Sequence, residues 1–199
     1  MDILNLTPGG FASNCYLVKC GNDAVLIDCT ADAHRVSEAL GDAKLHAILL
    51  THGHFDHMLT VSRMQRELSA PLYLHARDAE FPTDARKNAF AAFFPQDMTY
   101  PPADHLLCGG ECLTFGALSV HVTHVPGHTG GCVLYRIGEA LFTGDTIFSA
   151  GFGRTDLYGG DEVALRTSLA LLHTLPPTLT IYPGHGESAL LGDALDRLF

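Results

Sequence analysis

The sequence predicts an α/β domain, on three observations. First, Ala47-Ile48-Leu49-Leu50 is a short, apolar, β-prone run that leads straight into Thr51-His52-Gly53-His54-Phe55-Asp56-His57. The chain then continues into Met58–Leu68, where Met58, Val61, Met64 and Leu68 recur near helical period. Second, the first 75 residues read as β-β-β-α-β-α-β. Third, Asp161–Leu175 is an amphipathic stretch with Leu165, Leu169 and Leu172 on one face, followed by a strand at Thr178–Tyr182.

Element by element, residues 3–7 and 15–19 form a first strand pair around Pro8-Gly9-Gly10. Ala24–Asp28 is a buried strand whose terminal Asp28 bonds a nearby turn or supports a ligand. Asp32–Leu40 is a short helix with Val36, Ala39 and Leu40 inward, residues 46–51 are the next strand, and Leu72–His75 is a further parallel strand. Residues 76–105 are less regular. The spacing predicts a helix over Asp84–Phe94 carrying Phe90, Phe93 and Phe94, broken by Pro95, Pro101 and Pro102. Those aromatics either cap the core or wall a pocket. Cys112–Val125 returns to β structure around a Phe115-Gly116-Ala117 turn, and Val133–Ile137 with Ala140–Thr143 form a hairpin. Asp161 can cap the helix it precedes. A last helix is expected over Ser188–Leu198.

Composition narrows the function classes. The 199 residues fit one domain spanning 1–199, and 47% apolar residues supply a sizeable core. A formal net charge of −10 makes nucleic acid a poor partner, because phosphate affinity rests on Lys and Arg. No apolar run approaches a membrane span, and Met1–Leu6 lacks the basic start and apolar core of a signal peptide. The expectation is a cytoplasmic protein. Its six cysteines then stay as free thiols, having no Cys-x-x-Cys pair. The phenylalanines at 90–94 are compatible with a homodimer.

Histidine is the unusual count, at 12. His52 and His54 stand two apart, so an extended backbone points both to one side, where they can bind one metal. Asp56 and His57 follow as the chain turns and can aim at a second point. Imidazole and carboxylate suit divalent transition metals. A histidine-rich surface loop or a structural metal site is the bland alternative, but the position between a buried strand and a helix favours chemistry. Three more strand ends deliver ligand residue types: His128 in Val125-Pro126-Gly127-His128-Thr129, Asp145 in Phe142-Thr143-Gly144-Asp145-Thr146, and His185 in Tyr182-Pro183-Gly184-His185-Gly186. Seven further histidines (34, 46, 75, 105, 121, 124 and 173) have no metal-like context.

With those motifs in this order, the chain resembles the metallo-β-lactamase-fold superfamily of hydrolases, and within it the glyoxalase II (hydroxyacylglutathione hydrolase) branch, over nearly its whole length. The resemblance implies a four-layer αβ/βα sandwich with the site at one edge. It implies a first metal on His52, His54 and His128 and a second on Asp56, His57 and His185, with Asp145 bridging. Two divalent cations, zinc in the first instance with iron or manganese as options, then share a hydroxide that attacks a carbonyl. Asp56 and Asp145 are the catalytic carboxylates, Asp56 as a proton shuttle. The implied reaction is hydrolysis of a small anionic thioester such as S-lactoylglutathione, since a thiolate leaves without strong protonation.

Arg154, in Gly151-Phe152-Gly153-Arg154-Thr155-Asp156, matches the position that contacts glutathione in that branch; alternatively it pairs with Asp156 and pins the loop. Only fourteen residues follow His185, so the helical glutathione-binding domain of full-length glyoxalase II is not expected. Other readings are a lactonase or esterase of the same fold, and a mononuclear iron persulfide dioxygenase using His52, His128 and Asp145. A secreted β-lactamase is disfavoured by the N-terminus and by Asp145.

Overall fold

The computed structural model describes residues 1–198. Twelve strands among these residues form two six-stranded sheets. The first sheet contains β1 (Asp2–Asn5), β2 (Tyr16–Cys20), β3 (Asp23–Ile27), β4 (Lys44–Leu49), β5 (Leu72–His75) and β6 (His105–Leu107), in that spatial order. β1, β2 and β3 pair antiparallel, and β3 through β6 pair parallel. The second sheet runs β12-β11-β10-β9-β8-β7. It comprises β7 (Cys112–Phe115), β8 (Leu118–His124), β9 (Val133–Ile137), β10 (Ala140–Gly144), β11 (Thr180–Pro183) and β12 (Ala189–Leu190). Only β10 and β11 pair parallel there.

Alternation along the strands builds the layers, because successive side chains point to opposite faces. Val18, Val25, Ile27 and Leu49 meet Val120, Tyr135 and Phe142 between the sheets. Their neighbours Leu17, Leu26 and Ile48 point outward to Val36 of α1 (Ala33–Leu40) and Met64 of α2 (Val61–Leu68). On the far side, Leu134 and Leu141 pack on Leu165, Leu169 and Leu172 of α4 (Glu162–Leu172) and on Leu191 of α5 (Leu191–Asp196). The result is the expected αβ/βα sandwich. The central strands β3, β9 and β10 are buried on both faces and read as near-continuous apolar runs, whereas β8 alternates buried and exposed residues. Truncating a central side chain such as Leu169 to Ala costs about 2–5 kcal/mol. Asp32 caps α1 by accepting from the His34 N–H (2.9 Å), and Asp161 caps α4 by accepting from the Ala164 N–H (3.0 Å).

Three expectations change. The helix over Asp84–Phe94 is a single turn, α3 (Phe90–Phe93), preceded by turns. The Asp84 carboxylate accepts from the Arg86 N–H and the Asn88 amide oxygen accepts from the Phe90 N–H, both 2.9 Å. These local bonds compete with helical ones, and Ala89 lies at φ 67°. The helix after the metal-type loop starts at Val61 rather than Met58, because Phe55–His57 form a 3-10 turn first. The last helix starts at Leu191, since Ala189–Leu190 pair with β11 as an edge strand. β6 was not foreseen; three residues are too few for a period to show. Phe90 stacks on Phe94 and meets Phe55 inside, while Phe93 stays half exposed.

The topology positions the site. β4, β8, β10 and β11 all end at one edge, where the chain leaves a rigid strand for a loop. A Val133 N–H to Thr51 carbonyl bond (2.9 Å) ties the two sheets together there. No helix among the described residues is long and apolar enough to cross a membrane.

Candidate metal centre

The four strand ends converge. His52 Nε2 lies 3.1 Å from His54 Nδ1, which lies 2.9 Å from His128 Nε2. Three nitrogens bound to one tetrahedral zinc at about 2.0–2.1 Å would stand roughly 3.3 Å apart, so this trio fits a cation. A second group gathers Asp56, His57 and His185: His185 Nε2 is 3.2 Å and His57 Nε2 4.0 Å from Asp56 Oδ2. Asp145 lies between the groups. Its Oδ2 is 3.6 Å from both His128 Nε2 and His185 Nε2, and its Oδ1 is 3.3 Å from His57 Nε2. All seven sequence-predicted ligand residues thus come together.

The donor set itself tests whether metal belongs here. His57 Nε2 and Asp145 Oδ1 are fully buried and make no hydrogen bond of proper geometry. Orphaned buried groups of this kind are costly in a protein that binds nothing between them. A Cβ on Gly184 would stand 2.2 Å from Asp145 Oδ1 and 2.6 Å from His57 Cε1. Glycine is therefore what lets the His185 turn close over the other ligands.

Hydrogen bonds aim the rings. His57 Nδ1 donates to Asp28 Oδ2 (2.8 Å), leaving Nε2 for the centre. His128 Nδ1 donates to the Arg154 carbonyl (2.6 Å), and His52 Nδ1 faces Thr51 Oγ1 (3.2 Å). Asp28 does both things expected of it. It holds His57, and its Oδ1 accepts from the Thr51 N–H at 2.8 Å. Its φ of 55° costs about 1–2 kcal/mol for a non-glycine residue. Such strain persists at the end of β3 because these bonds over-determine it.

Sequence reading missed Asp78, fully buried in the turn after β5. Its Oδ2 accepts from the Gly53 N–H (3.0 Å) and the Thr129 hydroxyl (2.6 Å), so one carboxylate ties the His52–His54 loop to the His128 loop. Its only sequence signal is an acid just after a strand.

Electrostatics divides the centre. Burial, then neighbouring histidines, hold His52 well below the ordinary imidazole value, and burial and His128 push His54 down to about 3. Burial lowers His128 as well. For Asp56 and Asp145 burial pushes upward, but the nearby histidines outweigh it and hold both carboxyls low. For His57 burial pulls down, and Asp28, Asp145 and Asp56 outweigh it. His185 is raised in the same way by Asp56 and Asp145. The neutral imidazoles of His52, His54 and His128 and the ionised carboxylates are in the forms that bind a divalent cation, whereas His57 and His185 must give up a proton to do so.

The sequence profile of the Metallo-beta-lactamase superfamily matches residues 8–185. The chain belongs to that superfamily. A probable metallo-hydrolase of Bacillus subtilis, YqgX, is 33% identical over 183 residues, covering 89% of this chain and 87% of its own. The crystal structure of the BLEG-1 B3 metallo-beta-lactamase is similar at TM-score 0.91 and 33% identity, covering 98% of this chain and 97% of that one. TTHA1623 in a di-iron-bound form is similar at TM-score 0.82 and 34% identity, with 97% and 96% covered. The chain is thus a metal-dependent hydrolase of the superfamily by kinship, with a His/Asp cluster in place to hold metal.

In this superfamily member a cleft of about 180 Å³ opens over the ligands, lined by Phe11, Phe93, Leu157 and Arg154 besides ligand residues. A larger hollow of about 360 Å³ between Tyr16, Tyr182 and Glu187 contains none of the ligands. Arg154 places its carbonyl on His128, while its guanidinium makes a bidentate pair with Asp156 (2.5 and 2.6 Å). His75 and His124 stack at 4.1 Å across the two sheets, and His46 bonds Asp23 at 2.7 Å. None of the seven histidines without metal-like context joins a ligand group among the described residues. All six cysteines are free.

Proposed function

We propose that this chain is a two-metal hydrolase of small acyl thioesters, a glyoxalase II-like thioesterase. The observation behind the reading is Asp145, whose two oxygens reach ligands of both groups. Two bound divalent cations, zinc or iron, supply an activated water and polarise a carbonyl. The protein's part is to hold and aim. Asp28, the Arg154 carbonyl and Thr51 fix which nitrogen His57, His128 and His52 present. Asp56, part-exposed at the cleft, is kept ionised by His57 and His185 and directs Oδ2 to the second group.

The leaving group follows from what the cleft lacks. Apart from ligand residues, its lining is Phe11, Phe55, Ala89, Phe93, Leu157 and the paired Arg154, none of them a proton donor suited to an amine. A thiol of pKa about 8.5 departs as thiolate without such help, whereas an amide nitrogen requires it. The 33% identical B3 β-lactamase gives a second reading, opening of a β-lactam, whose ring strain eases that requirement.

The test is hydrolysis of S-lactoylglutathione, an S-acyl-N-acetylcysteamine and a chromogenic cephalosporin by purified protein, with metals counted on the same sample. Thioester turnover with about two metals per chain is expected. Cephalosporin turnover alone would move the protein to the β-lactamases. A single iron with no hydrolysis would move it to persulfide oxidation.

A further inference from the structure

The mouth of the cleft is apolar where the glyoxalase II resemblance leads one to expect cationic. Phe11 is 75% exposed and Phe93 50% exposed, and both line the cleft with Leu157. They belong to one aromatic cluster. Phe11 meets Phe94 edge-on at 6.2 Å between ring centres, Phe94 meets Phe55 at 5.9 Å, and Phe55 meets Phe93 at 6.0 Å. Phe55 lies inside the ligand motif between His54 and Asp56 and is buried, so the apolar wall is anchored on the loop that holds the metal-type residues. Large aromatic faces left in water beside convergent polar groups are how small-molecule sites are built.

The cations nearby are already matched. Arg154, the one Lys or Arg side chain lining the cleft among the described residues, is held in its fork by Asp156. Lys87 pairs with Glu80 and lies over the Tyr158 ring at 5.6 Å. Recruiting Arg154 to an anionic group would exchange its exposed bidentate pair with Asp156 for another, with no free cation gained.

We propose that this cleft selects a neutral, apolar group on its substrate, covered by Phe11, Phe93 and Leu157, rather than an anionic thiol held by Arg154. The inference deepens the hydrolase reading and rests on it for the position of the reacting carbonyl. About 180 Å³ equals the liquid volume of about six waters at ~30 Å³ each, which suits a short aliphatic or single-ring acyl group.

Binding of acyl hydroxamates to the metal-loaded protein tests this without turnover. Acetyl, butyryl and hexanoyl hydroxamates are titrated calorimetrically beside succinyl monohydroxamate, which carries a carboxylate at similar length. Affinity should rise about three- to fourfold per methylene, and the succinyl compound should bind at least tenfold more weakly than its neutral counterpart. Phe93→Ala should flatten the series and Phe93→Leu should restore most of it. Phe11→Ala, at an exposed position, repeats the test should Phe93→Ala fold poorly. A flat series in the unmodified protein, or tighter binding of the succinyl compound that Arg154→Ala abolishes, would overturn the proposal. A rising series in a protein that cleaves no thioester would leave the cleft as described and remove the thioesterase reading.

Discussion

The two ligand groups are built differently. His52, His54 and His128 are 0–3% exposed, and the His54 Nδ1 lies 3.1 Å from His52 Nε2 and 2.9 Å from His128 Nε2. Two loops carry them, and Asp78 pins both loops from behind. In the other group only His57 is buried; the Asp56 and His185 side chains are 20% and 40% exposed, and the contacts stretch from 3.2 to 4.0 Å. The first group is a packed, preformed cation site. The second is the more solvent-open side, although His54 and His128 of the first group also line the cleft. In the two-metal reading proposed above, the first group would hold its metal firmly while the second stands nearer solvent.

The largest break should come from Asp145→Ala, the residue the groups share. It is expected to lower metal affinity at both positions, by more than the roughly 10–100-fold typical of a supporting residue, measured as metal retained per chain after dialysis. Full retention would show that Asp145 bridges nothing. Asp28→Asn should separate the groups. It leaves His57 without its carboxylate and should weaken the second metal about 10–100-fold while sparing the first, read by competition with a chromogenic chelator.

Acidification should sharpen the same contrast. His57 and His185 are raised by their carboxylates, whereas His52, His54 and His128 are lowered by burial. A raised imidazole binds its proton at higher pH and must lose it to ligate. As pH falls, the second metal should therefore leave before the first, and stepwise metal analysis should show two separate releases. Simultaneous release would mean the groups act as one. The smallest effect is expected for Arg154→Ala. The backbone carbonyl on His128 remains, only an exposed pair with Asp156 is lost, and KM for a neutral thioester should stay within about twofold.

Sequence reached the residues that function places at strand ends. His52, His54, Asp56 and His57 announce themselves by spacing, and His128, Asp145 and His185 by following strands after Pro-Gly or Thr-Gly. What it missed is held by distance along the chain. Asp78 meets Thr129 across 51 residues, and Asp28, though expected to support a turn or a ligand, finds its partner His57 29 residues on; no local pattern links such pairs. The helix expected over Asp84–Phe94 fails because Asp84 and Asn88 bond their own backbone, a competition that apolar spacing does not show. Phe90, Phe93 and Phe94 read as one apolar face, yet the fold turns a partly buried Phe90 onto Phe55 and leaves Phe93 at the cleft. The αβ/βα layering was implied by the resemblance to the superfamily, and the nearly fully buried central strands β3, β9 and β10 agree with it.

Stepwise metal titration of the metal-stripped protein, with thioester hydrolysis followed at each addition, bears most directly on the two-metal centre. Two equivalents should bind in separable steps, the buried trio first, with hydrolysis appearing only on the second. Full turnover at one equivalent, unchanged by further metal, would rule out a reaction shared across Asp145.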